Sequence, residues 1–449
     1  MVNIDTAIEP IYQTERANQA IILENSLLHI TWPGHQFTCP GEASLRLEPN
    51  LRLTLKADIS GNPEAALAMG MKPISLQFGD HARPVNVLMI GSTWHQEAGG
   101  SEGTATFVPN PERLTICDDR RKRLSNVTFH VMNFPAFRSQ GRTATDISYE
   151  ASPGKVKILG RVILEHEGWE IDLQTLPKAG SLIKQLEVSG GFAITHVGRL
   201  KRKNGGSFWI SQAEVMLQSL HQFLSFARGL WVPLVLPVGV DRSGDTAFEE
   251  WGVRKATAWE PRISWFDAQY GQTLAMLFSG FIDLMHDSEM GEPVKAALYW
   301  YLNSNRAGEG AGVDSGVILS QAALERLTNA YLVRTGLSTG GSTTQRFRRA
   351  FRHLKLPINI PKRMSAVYAG QRKGVWADLP EAIVKVRNEL THPTARLPFP
   401  VGRVVSAVWQ VAQWYIELSI LTLAGYRGVY WNRLHSGYLG DVEQVPWAR

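Results

Sequence analysis

The chain has 449 residues, 44% of them apolar and 20% charged, with only two Cys. These figures fit two or three globular domains with a substantial core, and they exclude a disordered chain, a collagen-like repeat and a disulfide scaffold. The net charge of +6 is unevenly spread, because residues 301–449 carry 19 Lys/Arg against 9 Asp/Glu.

From about residue 20 to 200 the sequence is β-rich. Leu51–Lys56 alternates apolar and polar residues strictly, and Asn126–Phe134 repeats the pattern with Val127, Phe129 and Val131 on one face. Lys155–Leu173 predicts two or three strands punctuated by Gly160 and Gly168, and a short helix is expected around Leu182–Leu186. Short strands with turn residues between them point to an antiparallel, sandwich-like domain over residues 1–205. The basic loop Lys201-Arg202-Lys203-Asn204-Gly205-Gly206 marks its end.

Residues 206–289 form a connecting α/β region rich in Trp. A helix behind Ser211-Gln212-Ala213-Glu214, a capping-box pattern, stacks Leu217, Leu220 and Leu224 and ends near Gly229. A strand over Val232–Val240 follows. Trp251, Trp259 and Trp265 are expected mainly to pack a core or a domain junction, with base stacking as the sharper alternative.

Residues 290–449 read as an all-helical bundle of four or five helices. Helices are expected over Gln272–His286, Pro293–Asn303, Val317–Val333, Asp378–Thr391 and Val401–Gly425. In the fourth, Leu379, Ile383, Val386 and Leu390 form one narrow apolar stripe. The whole is an α+β multidomain chain.

Several chemistries are excluded by spacing. Cys39 and Cys117 lack metal-ligand spacing, and no metal or cofactor is expected. Gly336-Leu337-Ser338-Thr339-Gly340 matches a hydrolase elbow, but a helix rather than a strand precedes it. The N-terminus reads as no signal peptide, and the apolar runs 231–240 and 416–425 are shorter than a bilayer span. A cytoplasmic protein without membrane partners is expected.

One segment carries candidate chemistry. The fourth helix ends in Arg387-Asn388-Glu389-Leu390-Thr391-His392-Pro393. With 32 Arg and 12 His, an Arg followed five positions later by His arises about once by chance, and three are present. Requiring Asn after the Arg lowers the expectation to about 0.03, and only Arg387…His392 passes. In an unbroken helix His392 would lie about 140° around the axis from Arg387. Pro393 disfavours the helical conformation at His392, so the imidazole can swing back.

This pattern resembles the signature of the HEPN superfamily, whose helical domains cleave RNA without a metal. The layout, a β-rich part ahead of such a bundle, is similar to the ApeA-like abortive-infection proteins of bacteria. The resemblance implies a homodimer whose shared cleft brings together two copies of Arg387 and His392, with Asn388 as the polar residue of the catalytic motif, although helix spacing points it to the opposite side. It also implies an orienting acid, Glu325, on the preceding helix. It further implies an antiviral toxin that cuts RNA, tRNA included, with the N-terminal half sensing a phage-derived or other trigger.

The backbone-binding surface is expected in the stretch Arg326–Ala377, with 11 Lys/Arg and no acid. Its candidates are Arg346, Arg348, Arg349, Arg352, Lys355, Lys362 and Arg363. The competing expectation is a non-catalytic module, a degenerate bundle that holds RNA or a protein. Ordinary roles for the same residues are cations at a helix C-terminus and a solvated basic face.

Overall fold

The computed structural model describes residues 7–449 except 61–68, 70–72, 80–83, 98–99, 111–112, 140–146, 152–153, 159, 308–311, 393–400, 436 and 449. Six strands open the fold: β1 (Ile21–Trp32), β2 (His35–Arg46), β3 (Arg52–Asp58), β4 (Ile74–Phe78), β5 (Val85–Glu97) and β6 (Gly100–Pro109). They close into an antiparallel barrel in the order β1-β2-β3-β6-β5-β4. Closure comes from β1 against β4, where Leu28 faces Phe78, and it leaves no free sheet edge. Leu28, Ile30, Leu45, Leu55, Leu76 and Phe107 fill the interior.

The next strands are β7 (Arg113–Asp118), β8 (Asn126–Met132), the separate hairpin β9 (Ile147–Ala151) and β10 (Gly154–Ile158), β11 (Arg161–His166) and β12 (Trp169–Thr175). Helix α1 (Ala179–Ser189), β13 (Ile194–Arg202), α2 (Ile210–Arg228), β14 (Leu234–Val240) and β15 (Thr246–Gly252) follow. Seven of these strands form one antiparallel sheet, β11-β12-β13-β8-β14-β15-β7. The expected sandwich is therefore a barrel and a separate open sheet, since alternation within strands carries no information about which distant strands pair. The expected boundary at 205 lies inside this unit, because β14 and β15 return to pair beside β8.

The sheet is covered on both faces. Met132, Val197, Val235 and Trp251 continue the barrel core. On the other side Val127, Phe129, Val131 and Leu200 join a cluster that runs through α2 to the end of the chain. Gln212 Oε1 accepts the Trp209 N–H at 3.0 Å, so α2 is capped two residues earlier than the Ser-x-x-Glu pattern suggested. It ends at Gly229 with φ +75°, a left-handed turn that suits glycine. Trp251, Trp259 and Trp265 are buried, as a core role requires.

The C-terminal region is helical: α3 (Gln272–His286), α4 (Gly291–Ala307), α5 (Val313–Arg334), α6 (Thr343–His353), α7 (Ser365–Arg372), α8 (Leu379–Thr391) and α9 (Val401–Leu423). Helix α3 lies on β11, α4 and α9 pack on α5, and α8 packs on both α5 and α9. Residues 402–423 of α9 are long and apolar enough to cross a membrane, yet most of the stretch is buried by its neighbours.

A buried polar network ties the end of the chain to the middle. Glu417, the one acid of α9, accepts from Arg433 at 2.6 and 3.1 Å and from the Tyr301 hydroxyl at 2.6 Å. Arg433 also donates to the carbonyl of Ile263 at 2.8 Å, while Asn305 donates to that of Gly229 at 3.0 Å. Both charges are almost fully enclosed, so each depends on the other.

Candidate functional site

Helix α8 begins where Asp378 caps it, its carboxylate accepting the Glu381 N–H at 3.0 Å. Leu379, Ile383 and Val386 are buried and Leu390 half-buried, as the apolar stripe requires. Arg387, half-buried, lies at the edge of that stripe, and Asn388, exposed, lies on the opposite face. The Arg387 guanidinium donates to Asn388 Oδ1 at 3.3 Å. The last helical bond is His392 N–H to Asn388 O at 2.7 Å, and His392 then leaves the helix at φ −140°, ψ 74°. Its side chain is exposed. Pro393, expected to force this break, lies outside the described residues.

Glu325 sits half-buried on α5, where the buried Gln321 amide donates to it at 2.7 Å. No hydrogen bond or ion pair among the described residues joins Glu325, Arg387 and His392 to one another. One chain thus brings Arg387, Asn388 and His392 to the same helix end and fixes Glu325 on the neighbouring helix.

The acid-free stretch is not acid-free in space. Arg348 lies on α6 and donates to Asp378 at 2.6 and 3.1 Å and to Glu381 at 2.9 Å. The Asp378 bonds hold its pKa above the ordinary guanidinium value. Glu381 is buried enough to favour its neutral form, but Lys385, the Ala377 N–H and Arg348 outweigh that and hold its pKa below the usual range. Arg348 therefore fastens α6 to the start of α8, its guanidinium committed to two carboxylates while it still lines the cleft along α6. Arg334 is likewise held by Asp287 at 2.9 Å. Acids just outside the stretch fold back onto it, which a linear count of charge misses.

Arg349 donates to the carbonyls of Ser338 and Gly340 and Arg346 to the Thr343 hydroxyl at 3.0 Å, so both keep only part of their donor set for a ligand. Arg352, Lys355, Lys362 and Arg363 are exposed. An open cleft of about 710 Å³ runs along α6, lined by Leu337, Gly340, Arg349, Arg352 and His353 among others. His353 Nδ1 pairs with the Tyr331 hydroxyl at 2.6 Å. The Ser338 elbow sits in this loop after α5, with no strand before it.

The other two Arg/His matches have structural roles. Arg161 is buried on β11 and paired with Asp172 at 2.6 Å. Among the described residues His166, Glu167 and Asp283 place ligating atoms within 4.8 Å of one another, a spacing that a divalent cation could close.

Comparison with known proteins adds a second frame. Residues 119–262 match the YopA central domain and residues 287–444 the YopA C-terminal domain. Over 427 residues the chain is 27% identical to the SPbeta prophage-derived uncharacterized protein YopA of Bacillus subtilis (strain 168), a match covering 92% of this chain and 91% of that protein. No solved structure matches. The YopA central-domain match spans β8 to β15 of the sheet, and the YopA C-terminal match spans α4 to α9. Between the two lie Trp265 and α3, which are packed into the same core as both.

Sequence reasoning missed the Glu417–Arg433 pair. Its signal was present, since a lone acid in the apolar run of α9 demands a buried cation. The loop Lys201–Gly206 reads in sequence as a boundary, and only the fold sets it beside other turns of the sheet.

Proposed function

We propose that the chain is a dimeric, metal-independent endoribonuclease of the HEPN type, acting as an abortive-infection effector like the ApeA-like proteins. The observation that carries this reading is the end of α8. There Arg387 and His392 reach solvent together at a helix broken at His392, on a helix packed between α5 and α9. The prophage origin of the YopA relative supports a role in competition between phages and their hosts.

The chemistry follows from residue type. One His392 takes the proton of a ribose 2′-hydroxyl, whose oxygen attacks the adjacent phosphorus. The bond from phosphorus to the 5′-oxygen breaks, and the His392 of a second copy protonates that oxygen. Arg387 donates to the phosphorane oxygens as their charge grows. The products are a 2′,3′-cyclic phosphate and a 5′-hydroxyl. His titrates near neutrality and suits both proton transfers.

Arg348 anchors α6 at the Asp378 cap of α8, and the 13 residues of that helix lie between the cap and His392, about 20 Å of rise. RNA held by Arg352, Lys355, Lys362 and Arg363 would therefore have to run along α8 to reach the His.

The test is incubation of the protein with total tRNA in EDTA. Cleavage that persists in EDTA, leaves 2′,3′-cyclic ends and is lost in His392→Ala is the expected result. Identical behaviour of wild type and His392→Ala overturns it. The second reading, a non-catalytic RNA- or protein-binding bundle, is favoured by the missing contact between Arg387, His392 and Glu325. It expects salt-sensitive RNA binding without turnover, indifferent to His392.

A further inference from the structure

Four turns meet at one end of the seven-stranded sheet. They are the 119–125 turn before β8, the β11–β12 turn at Glu167 and Gly168, the 203–208 loop after β13, and the β14–β15 turn at 241–245. The register places them together, since Trp169 pairs with Arg202 and Asn126 with both Lys201 and Val240. Bonds across the turns fix the arrangement: Lys122 to Asp241 at 2.7 Å, Arg123 to the Ser207 carbonyl at 2.8 Å, and Lys203 N–H to Gly168 O at 2.9 Å. Between them is a cleft of about 510 Å³, within the ~300–1,000 Å³ typical of small-molecule sites.

The cations here fall into two sets. Arg120, Arg121, Lys122, Lys201 and Lys203 each pair with an acid, at 2.7 to 3.1 Å. The three that line the cleft, Arg123, Arg202 and Arg242, have no carboxylate partner among the described residues. Two of these are held in place by aromatic rings. Arg202 lies 3.6 Å over the Trp169 ring and Arg123 lies 5.2 Å from the centre of Trp209. Each spends one N–H on a carbonyl, Arg123 on Ser207 at 2.8 Å and Arg202 on Glu167 at 3.4 Å, and a stacked guanidinium so held has remaining donors for a ligand and little conformational freedom left to lose on binding. Arg242 projects from a turn locked by Asp241, whose carboxylate accepts the Ser243 and Asp245 N–H groups at 2.9 and 3.1 Å.

The rest of the wall also donates. Asn204 and Gln212 line the cleft, and their amide oxygens are used locally, by Gly206 N–H at 2.9 Å and Trp209 N–H at 3.0 Å. Their NH2 ends remain for a ligand. The one acid in the wall, Glu167, can accept from a hydroxyl. The half-exposed indole of Trp209 at the rim offers a surface to a base. The complement of this set is an oxygen-rich dianion carrying hydroxyls and an aromatic ring.

We propose that this cleft binds the terminal phosphate of a nucleotide, either a free mononucleotide or the phosphorylated end of a strand. Arg123, Arg202 and Arg242 grip the phosphate, Glu167 takes a ribose hydroxyl, and Trp209 meets the base. The site stands apart from Arg387 and His392 and does not depend on ribonuclease activity. It gives the β-rich half a ligand of stated chemistry.

Titration calorimetry on the full chain tests this with adenosine, adenosine 5′-monophosphate, inorganic phosphate, and 5′-phosphorylated and 5′-hydroxyl hexaribonucleotides. The ribonucleotide strands are titrated into the His392→Ala chain, which lacks the group the proposed cleavage needs, so binding is read without turnover. The expected result is binding of the monophosphate with none by adenosine. Tighter binding of the 5′-phosphorylated strand than of the monophosphate assigns the source to strand ends, and weaker binding or failure of the strand alone assigns it to the free nucleotide. Arg242→Ala and Arg123→Gln should each weaken binding by about tenfold or more, and Arg242→Ala should leave the thermal midpoint unchanged. Absence of binding by every phosphorylated probe, or equal affinity in the Arg123→Gln/Arg242→Ala double variant, overturns the proposal.

Discussion

Mild acid should unfold the central sheet well before the carboxylates titrate, because three histidines are buried there in the neutral form. His130 on β8 has both ring nitrogens committed: Nε2 accepts the Tyr12 N–H at 3.0 Å, and Nδ1 donates to Leu236 O at 3.3 Å. A second proton would set one donor against another. His221 on α2 donates from Nδ1 to Val232 O at 2.7 Å, and His196 on β13 lies between the hydroxyls of Thr175 and Thr195 at 3.0 and 2.9 Å. Burial pushes their pKa values down to about 4 for His130 and His221 and about 3 for His196. The unfolded chain takes up these protons near pH 6.5. The stability from keeping them neutral is therefore complete above pH 6.5 and is lost as pH falls toward the folded values. At pH 5 each group has lost about 2 kcal/mol and the three together about 6 kcal/mol, comparable with a whole domain's stability. The slope near pH 5.3 should be about 4 kcal/mol per pH unit. Urea unfolding between pH 7.5 and 5, with amide exchange on β8 and β13 as the local probe, measures it. His221→Asn keeps the donor to Val232 and should remove about a third of the slope. A flat profile over that range, or an unchanged slope in His221→Asn, refutes the reasoning.

Arg433→Met strands the Glu417 charge in the core and should cost about 3–5 kcal/mol in urea unfolding; a loss below about 1 kcal/mol would show that the pair is not buried in solution. Arg348→Ala should destabilise the chain by about 1–2 kcal/mol while leaving RNA binding intact. Lys362→Glu/Arg363→Glu should do the reverse, weakening binding and flattening its salt dependence in filter binding. Gly198 faces Phe129 across β13 and β8, and an added Cβ would stand 2.2 Å from the Phe129 ring. Gly198→Ala should therefore cost about 1–3 kcal/mol through overpacking, read as a lowered thermal midpoint.

Much of the local structure was legible because it follows from periodicity. The alternation at Leu51–Lys56 became β3, Asn126–Phe134 became β8, and the stripe from Leu379 became α8 with Asp378 as its cap. Pairing between distant segments was not legible. Nothing near Leu28 or Phe78 says that β1 closes on β4, and nothing near Leu234 says that β14 returns to β8. The candidate site divides the same way. The placement of Arg387 and His392 at one helix end follows from their spacing, while the capture of Arg348 by Asp378 and Glu381 depends on two helices meeting. The arginines of the sheet-end cleft are spread from 123 to 242, and only the register of four strands collects them.

The cluster that begins at Leu124 in the sheet ends at Val445, beyond α9, without a break. A recombination breakpoint placed near residue 290, between two segments that resemble separate domains, would thus leave apolar faces of α2 and α3 bare on one side and of α4 on the other. The helical third is no exchangeable cassette. A lineage that changes its helical part must rebuild the face it rests on, so the two parts are expected to change together, position against position, across that contact.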